Sequence, residues 1–254
     1  MKDTNGTIRT LSLTFTHPLY ARQIPQWRGA IIEMGGWEND LFHNHRGDDG
    51  YHYRYPRIHY RQHKGHAALF GINEGVDALQ QVLATQDWQI NWEGKPTPLQ
   101  IQDLRMNEHH LRMLAQPKAY KVFNWLPFND TNYQAWKECR NLVERVQLLE
   151  RILAAHIIAF LASVEWRLPE RMEISLQHIQ QAKQVKFHGV PMLAFNISFT
   201  SNVLLPPGIA FGKAVSHGFG WTKPVRVRQR NERVGGTRFQ KQQLRKEEEI
   251  RSED

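Results

Sequence analysis

Residues 51–72 read YHYRYPRIHYRQHKGHAALFGI, and this stretch decides the fold. Tyrosine-rich alternation runs through 51–61, Lys64 and Gly65 supply a turn, and Ala67, Leu69 and Phe70 fall in a second strand over 66–72, so the segment predicts a β-hairpin. Upstream, Ile24, Trp27, Ile31 and Met34 recur at spacings of three and four, with Pro25 tolerated in the first turn and Gly35 and Gly36 as a stop. That is a helix. Before it, Ile8, Leu11, Leu13 and Phe15 largely alternate with threonine and serine, as a half-buried strand requires. Downstream, Asn73 can cap a helix whose face holds Val76, Leu79, Val82 and Leu83 and which ends near Thr85, and a strand begins over 88–92. Strand, helix, hairpin, helix, strand is the βαββαβ plan of a ferredoxin-like domain.

The second half is less regular. Strands are expected near 99–104 and 119–125, and Leu142, Val146, Leu149, Leu153, Ile157, Phe160 and Val164 mark a long core helix. Strands return at 184–187 and 192–199, followed by a glycine-rich loop and a short strand over 220–225. After Val225 the hydrophobic pattern ends. Between Arg226 and Lys246 stand eight Lys or Arg against one acidic residue, Glu232, which reads as a basic, disordered tail suited to loose phosphate contact.

The chain has 254 residues, 33 of them basic and 25 acidic, for a net charge of +8 and a pI near 9.7. A polyanionic partner suits that sign. The single cysteine, Cys139, excludes an internal disulfide and a cysteine zinc cluster and fits a reducing cytoplasm. No apolar signal core opens the sequence, and the apolar run 152–164 is interrupted by His156 and too short for a bilayer, so neither export nor membrane insertion is expected.

Six of the 13 histidines lie between positions 43 and 66. In an extended segment, the one-residue spacing of His43 and His45 would put both imidazoles on one face. Two imidazoles can divide the cleavage of RNA: one accepts the 2′-hydroxyl proton and the other protonates the departing 5′-oxygen, and a pKa near 6.5 makes both forms available at neutrality. Arg46, Tyr51, Tyr53, Arg54, Tyr55 and Arg57 follow, interleaving cations with aromatics in a pattern suited to phosphates and bases. The same pair could instead bind zinc or manganese with Asp40, Asp48 and Asp49, as in a metal-dependent nuclease, or simply be polar residues of a loop or sheet surface.

The second motif is PPGIAFGKAVSHGFG over 206–220. Its glycines let backbone amides approach an anion, and Lys213 adds charge. It is not a Walker A loop, because three residues rather than four separate Gly208 from Gly212 and Ala214 follows the lysine.

Three passages in order, Phe42-His43-Asn44-His45, residues 55–60 continuing to Gly71-Ile72-Asn73-Glu74-Gly75, and residues 202–220, resemble the CRISPR-associated repeat-processing endoribonucleases (CRISPR-associated protein six), closest to the b subtype. The resemblance implies an α+β fold of two tandem ferredoxin-like domains, 1–115 and a degenerate 116–225, followed by the basic tail 226–254. It implies cleavage of precursor CRISPR RNA into guide RNAs without metal or other cofactor, leaving a 2′,3′-cyclic phosphate and a 5′-hydroxyl. By similarity His43 and His45 carry the acid and base roles, and RNA is held by Gly212, Lys213, Ser216, His217, Gly218 and Gly220; Arg46, Arg54 and Arg57 join them as RNA contacts on the interleaved pattern above. Tyr51 and Lys64 stay open as helpers. The implied partner is CRISPR repeat RNA, with effector-complex subunits and a second copy of the chain as further candidates; a non-catalytic RNA-binding subunit is the alternative reading. Two departures stand out: Ala210 replaces a glycine usual in that family, and His217 replaces a common arginine.

Overall fold

A computed structural model describes residues 6–35, 39–43, 45–46, 50–51, 55–84 and 88–225; of residues 45, 46, 50 and 51 it describes the backbone alone. The expected tail after Val225 lies outside the described residues.

The first half runs β1 (Thr7–Pro18), α1 (Ile24–Gly35), α2 (Asp40–His43), β2 (His45–Arg46), β3 (Gly50–Tyr51), β4 (Ile58–His63), β5 (His66–Ile72), α3 (Glu74–Leu83), β6 (Gln89–Trp92), β7 (Lys95–Pro98) and β8 (Ile101–His110). Four of these strands form one antiparallel sheet in the order β4-β5-β1-β8, the ferredoxin-like arrangement. Leu13 pairs with Leu69 on one side and Leu104 on the other. Its face, with Leu11 and Phe15, packs on Trp27 and Ile31 of α1 and on Val76 and Leu79 of α3.

Two details differ from the sequence expectation. The closing strand of this sheet is β8, because Glu93 and Gly94 turn at positive φ and fold the 88–92 segment back on β7 as a separate hairpin. The first strand of the central hairpin starts at Ile58 rather than residue 51: Pro56 has no N–H for a ladder, and Tyr51 pairs with His45 instead.

The second half contains β9 (Met113–Trp125), α4 (Asp130–Glu138), α5 (Leu142–Ser163), β10 (Ile174–Ile179), β11 (Lys183–Phe187), β12 (Val190–Val203) and β13 (Trp221–Pro224). The order β10-β12-β9-β13, with β11 also on β12, repeats the first sheet's arrangement with one strand split in two. The degeneracy is specific. Where a second helix would link β12 to β13, there is the glycine-rich segment, containing a single 3-10 turn at Val215–His217. Helix α5 is capped by Asn141, whose side chain accepts from Glu144 N while the Glu144 carboxylate accepts from Arg140 N at 2.7 Å. By length and composition α5 could cross a membrane, yet Leu149, Leu153, Ile157 and Phe160 are buried in the second core, as in a core helix.

The two halves share that second core. The far face of the first sheet contributes Ile8, Phe70 and Ile72 to the cluster built on Tyr120, Trp125, Phe160 and Phe199. Alternation along β4 explains this: Ile58 and Tyr60 face α1, so His59 and Arg61 face the second half.

Candidate functional site

His43 is the last residue of α2, a single helical turn, so the carbonyls at its end lack intrahelical partners. Side chains supply them. Tyr60 Oη donates to the Phe42 carbonyl at 2.8 Å, and the Arg28 guanidinium donates to the His43 carbonyl at 2.8 Å. Phe42 is buried against Gly35, so the turn is anchored and His43 stays half-buried at its end. The two histidines do not share one strand: His43 ends α2, and β2 begins at His45, paired with Tyr51. The side chains of His45 and Arg46 and the whole of Arg54 lie outside the described residues.

The glycine-rich segment wraps back toward this turn. Thr222 N donates to Ile209 O at 2.7 Å and Phe211 N to Gly220 O at 2.9 Å, flanking a bridge between Ala210 and Trp221. In such a bridge the N–H and C=O of Ala210 point away from Trp221. Both are taken by Tyr55, whose hydroxyl donates to Ala210 O at 2.9 Å and accepts from Ala210 N at 3.1 Å. Ala210 is fully buried and is not among the positive-φ residues, so alanine serves where a glycine was expected. Gly218 does need to be glycine: φ is +82°, and a Cβ would stand 2.9 Å from Ile24 Cδ1 and 3.2 Å from the Tyr60 carbonyl. This close approach seats the 3-10 turn on α1 and β4.

The remaining predicted residues divide. Gly212 lies against Trp125, and Lys213, whose N donates to Leu126 O at 3.0 Å, borders a cavity of about 200 Å³ with Phe128, Tyr133 and Met192. Ser216 Oγ is 3.1 Å from His217 Nδ1. Burial, with Arg28 and His188 nearby, pushes His217 down to about 4, so it is neutral at pH 7 and brings no charge in place of the arginine usual in the family.

Arg57 faces inward: its Nε lies 2.9 Å from Glu74 Oε2, and its terminal nitrogen donates to Ser163 O at 2.5 Å. Tyr55, Arg57, His59 and Arg61 together form a seam between the halves. His59 Nε2 donates to the Pro56 carbonyl at 3.0 Å, so Nδ1 accepts from Arg61 at 2.7 Å; Arg61 also donates to the Gly208 carbonyl and lies over the Phe70 ring. Burial lowers Arg61 to about 10, which leaves it charged at neutrality. Of these, the sequence places Arg57 among the RNA contacts.

Sequence reasoning missed Arg28, Tyr60 and Arg61. Arg28 and Arg61 were single cations in helical and strand patterns, and only the partners reveal their work. Among the described residues no cluster of His, Cys, Asp or Glu is placed to hold a metal ion; Asp48 and Asp49 lie outside them.

Comparison with known proteins agrees with the two-part fold. The Cas6b N-terminal domain model matches residues 6–110 and the Cas6b C-terminal domain model matches residues 112–225. A crystal structure of Cas6b superposes with a TM-score of 0.76 at 21% identity, covering 86% of this chain and 100% of the other. A crystal structure of the CRISPR RNA processing endoribonuclease Cas6b gives 0.66 at 18% identity, over 86% and 100%. An uncharacterized Methanocaldococcus jannaschii protein, MJ0978, is 28% identical over 102 residues, 40% of this chain and 68% of that protein. With both halves of the sequence matched in order by the two domain models, the chain belongs to the Cas6b family.

Proposed function

We propose that this chain is a cytoplasmic endoribonuclease that binds CRISPR repeat RNA and cuts the precursor into guide RNAs without a metal ion, with His43 and His45 exchanging the protons. The observation that carries the reading is the meeting of two motifs distant in sequence: Arg28 and Tyr60 hold the turn that ends at His43, and the Tyr60 carbonyl and Ile24 receive the Gly218 end of the glycine segment. The family adds support, since a structural relative is itself a CRISPR RNA processing endoribonuclease.

In this mechanism one imidazole removes the proton of the ribose 2′-hydroxyl, the 2′-oxygen bonds to the adjacent phosphorus, and the bond from phosphorus to the 5′-oxygen breaks as the other imidazole protonates that oxygen. The products are a 2′,3′-cyclic phosphate and a 5′-hydroxyl. Each positioned transfer contributes roughly 100- to 10,000-fold in rate. RNA binding draws on the net charge of +8 and on the glycine segment with Lys213.

The test is incubation of the full chain with the repeat RNA of a CRISPR array beside its gene, in EDTA, against the same RNA with one 2′-deoxy nucleotide at the cut. Cleavage of the first and survival of the second is expected. Cutting of the deoxy RNA, or loss of all cutting in chelator, refutes the mechanism.

A further inference from the structure

Three arginines meet the seam and the histidine turn, and their partners differ. Arg61 is spent on Gly208, His59 and the Phe70 ring, and Arg57 on Glu74 and Ser163. Arg28 makes one hydrogen bond, to the His43 carbonyl, and lies over the Tyr60 ring at 5.7 Å. Its Nε is buried without a partner, and among the described residues no carboxylate is in contact with it. A half-buried cation without a counter-charge is costly unless an anion completes the site. Burial does lower its affinity for the proton, but an arginine starts so high that it stays charged at neutrality.

We infer that Arg28 is the phosphate-facing cation of the cleavage site: its guanidinium fixes the His43 carbonyl with one terminal nitrogen and offers the other to the scissile phosphate. The inference rests on the endoribonuclease reading above and adds to it the group that receives the developing negative charge. Three observations converge on the one side chain. It touches the residue that ends α2, and it stands on the face of α1 that meets the 3-10 turn of the glycine segment, near enough to His217 for its charge to depress that imidazole. Arg57 and Arg61 each keep one unpartnered nitrogen as well, but Arg57 has the Glu74 carboxylate as its counter-charge and Arg61 lies in the seam on Gly208 and His59, so Arg28 is the one of the three that touches the histidine turn without a carboxylate beside it. The guanidinium fork suits a phosphate with two oxygens, and a lysine at the same place could serve the carbonyl or the phosphate but not both.

The experiment uses the full chain with Arg28→Gln and Arg28→Lys. Two readouts are taken: the single-turnover cleavage rate at saturating protein, and the salt dependence of Kd for an RNA made uncleavable by one 2′-deoxy nucleotide. Arg28→Gln should lose about 100-fold or more in rate, the loss typical for one donor to a developing oxyanion. The slope of log Kd against log salt should shrink by about 0.7 to 0.9, one phosphate contact. Arg28→Lys should keep the slope and lose about tenfold in rate. A purely structural arginine would lower the rate and leave the slope of Arg28→Gln unchanged, which overturns the inference. If Arg28→Gln fails to give a cooperative melt, Arg28→Lys decides: a wild-type rate in that variant overturns it. Wild-type protein that binds the repeat but never cuts it removes the parent reading and this one together; wild-type cutting with an unaltered Arg28→Gln removes this one alone.

Discussion

Replacing Tyr55 by phenylalanine removes one oxygen and leaves a ring that still packs edge-on against Phe160 at 5.0 Å. The loss falls on Ala210. Its N–H and C=O both end on the Tyr55 hydroxyl, at 3.1 and 2.9 Å, and the residue is fully buried, so water does not reach either group without opening the seam. An orphaned buried donor or acceptor costs about 1–3 kcal/mol, so two on one residue place the variant roughly 2–4 kcal/mol below wild type after partial relaxation. The same loss loosens the strand that carries the glycine segment, so repeat-RNA affinity should fall with it. Urea unfolding followed by tryptophan fluorescence reads the first effect, with the slope m unchanged because the folded surface is the same. A midpoint shift equivalent to less than about 0.5 kcal/mol at unchanged m would show that this hydroxyl does not tie the halves together.

Protonation gives a second expectation. Burial lowers His156 and His217 to about 4, and His59 lies well below its ordinary value; His156 Nδ1 also accepts from Trp125. The folded state therefore binds fewer protons than the unfolded chain, stability is complete above pH of about 6.5, and it declines as pH falls toward 4, by about 2 kcal/mol or more between pH 7.5 and 5; equal urea midpoints at those two values would refute it. Gly220→Ala should be severe, because φ is +69° and the new Cβ would stand 1.9 Å from the Phe211 carbonyl; a loss of about 3 kcal/mol or more is expected, and a melting temperature within about 2 °C of wild type would contradict it. Arg57→Gln should cost about 1–3 kcal/mol in stability while leaving the salt slope of RNA binding unchanged, and a shallower slope would return Arg57 to the RNA surface.

Much of the architecture is written in local pattern. The alternation of Ile8, Leu11, Leu13 and Phe15 and the helical spacing of Trp27 and Ile31 meet in one core, as periodicity requires. The sheet's fourth strand was legible only as a stretch near 99–104 and not as the partner of β1, because β8 exposes Leu104 and Met106 and carries seven charged, histidine or amide side chains around them, while β6 has the stronger apolar signal but turns away at Glu93 and Gly94. At the site, the histidine pair and the glycine segment were visible as unusual composition. Which cations face RNA was not. Arg57 looks like part of a nucleic-acid pattern in one dimension, yet the segment from Tyr55 through β4 faces the second half, whose position no local spacing encodes. Arg28 was silent for the same reason, since its meaning comes from a carbonyl on another element.

Under the proposed function, His43 and His45 carry the proton transfers. The most direct measurement is the single-turnover cleavage rate of repeat RNA, in chelator and at saturating protein, for His43→Ala and His45→Ala beside wild type, with the affinity of each for uncleavable RNA taken in parallel. The account predicts that each variant loses about 100-fold or more in rate and binds within about threefold of wild type. A variant of either histidine that cuts at the wild-type rate would contradict it.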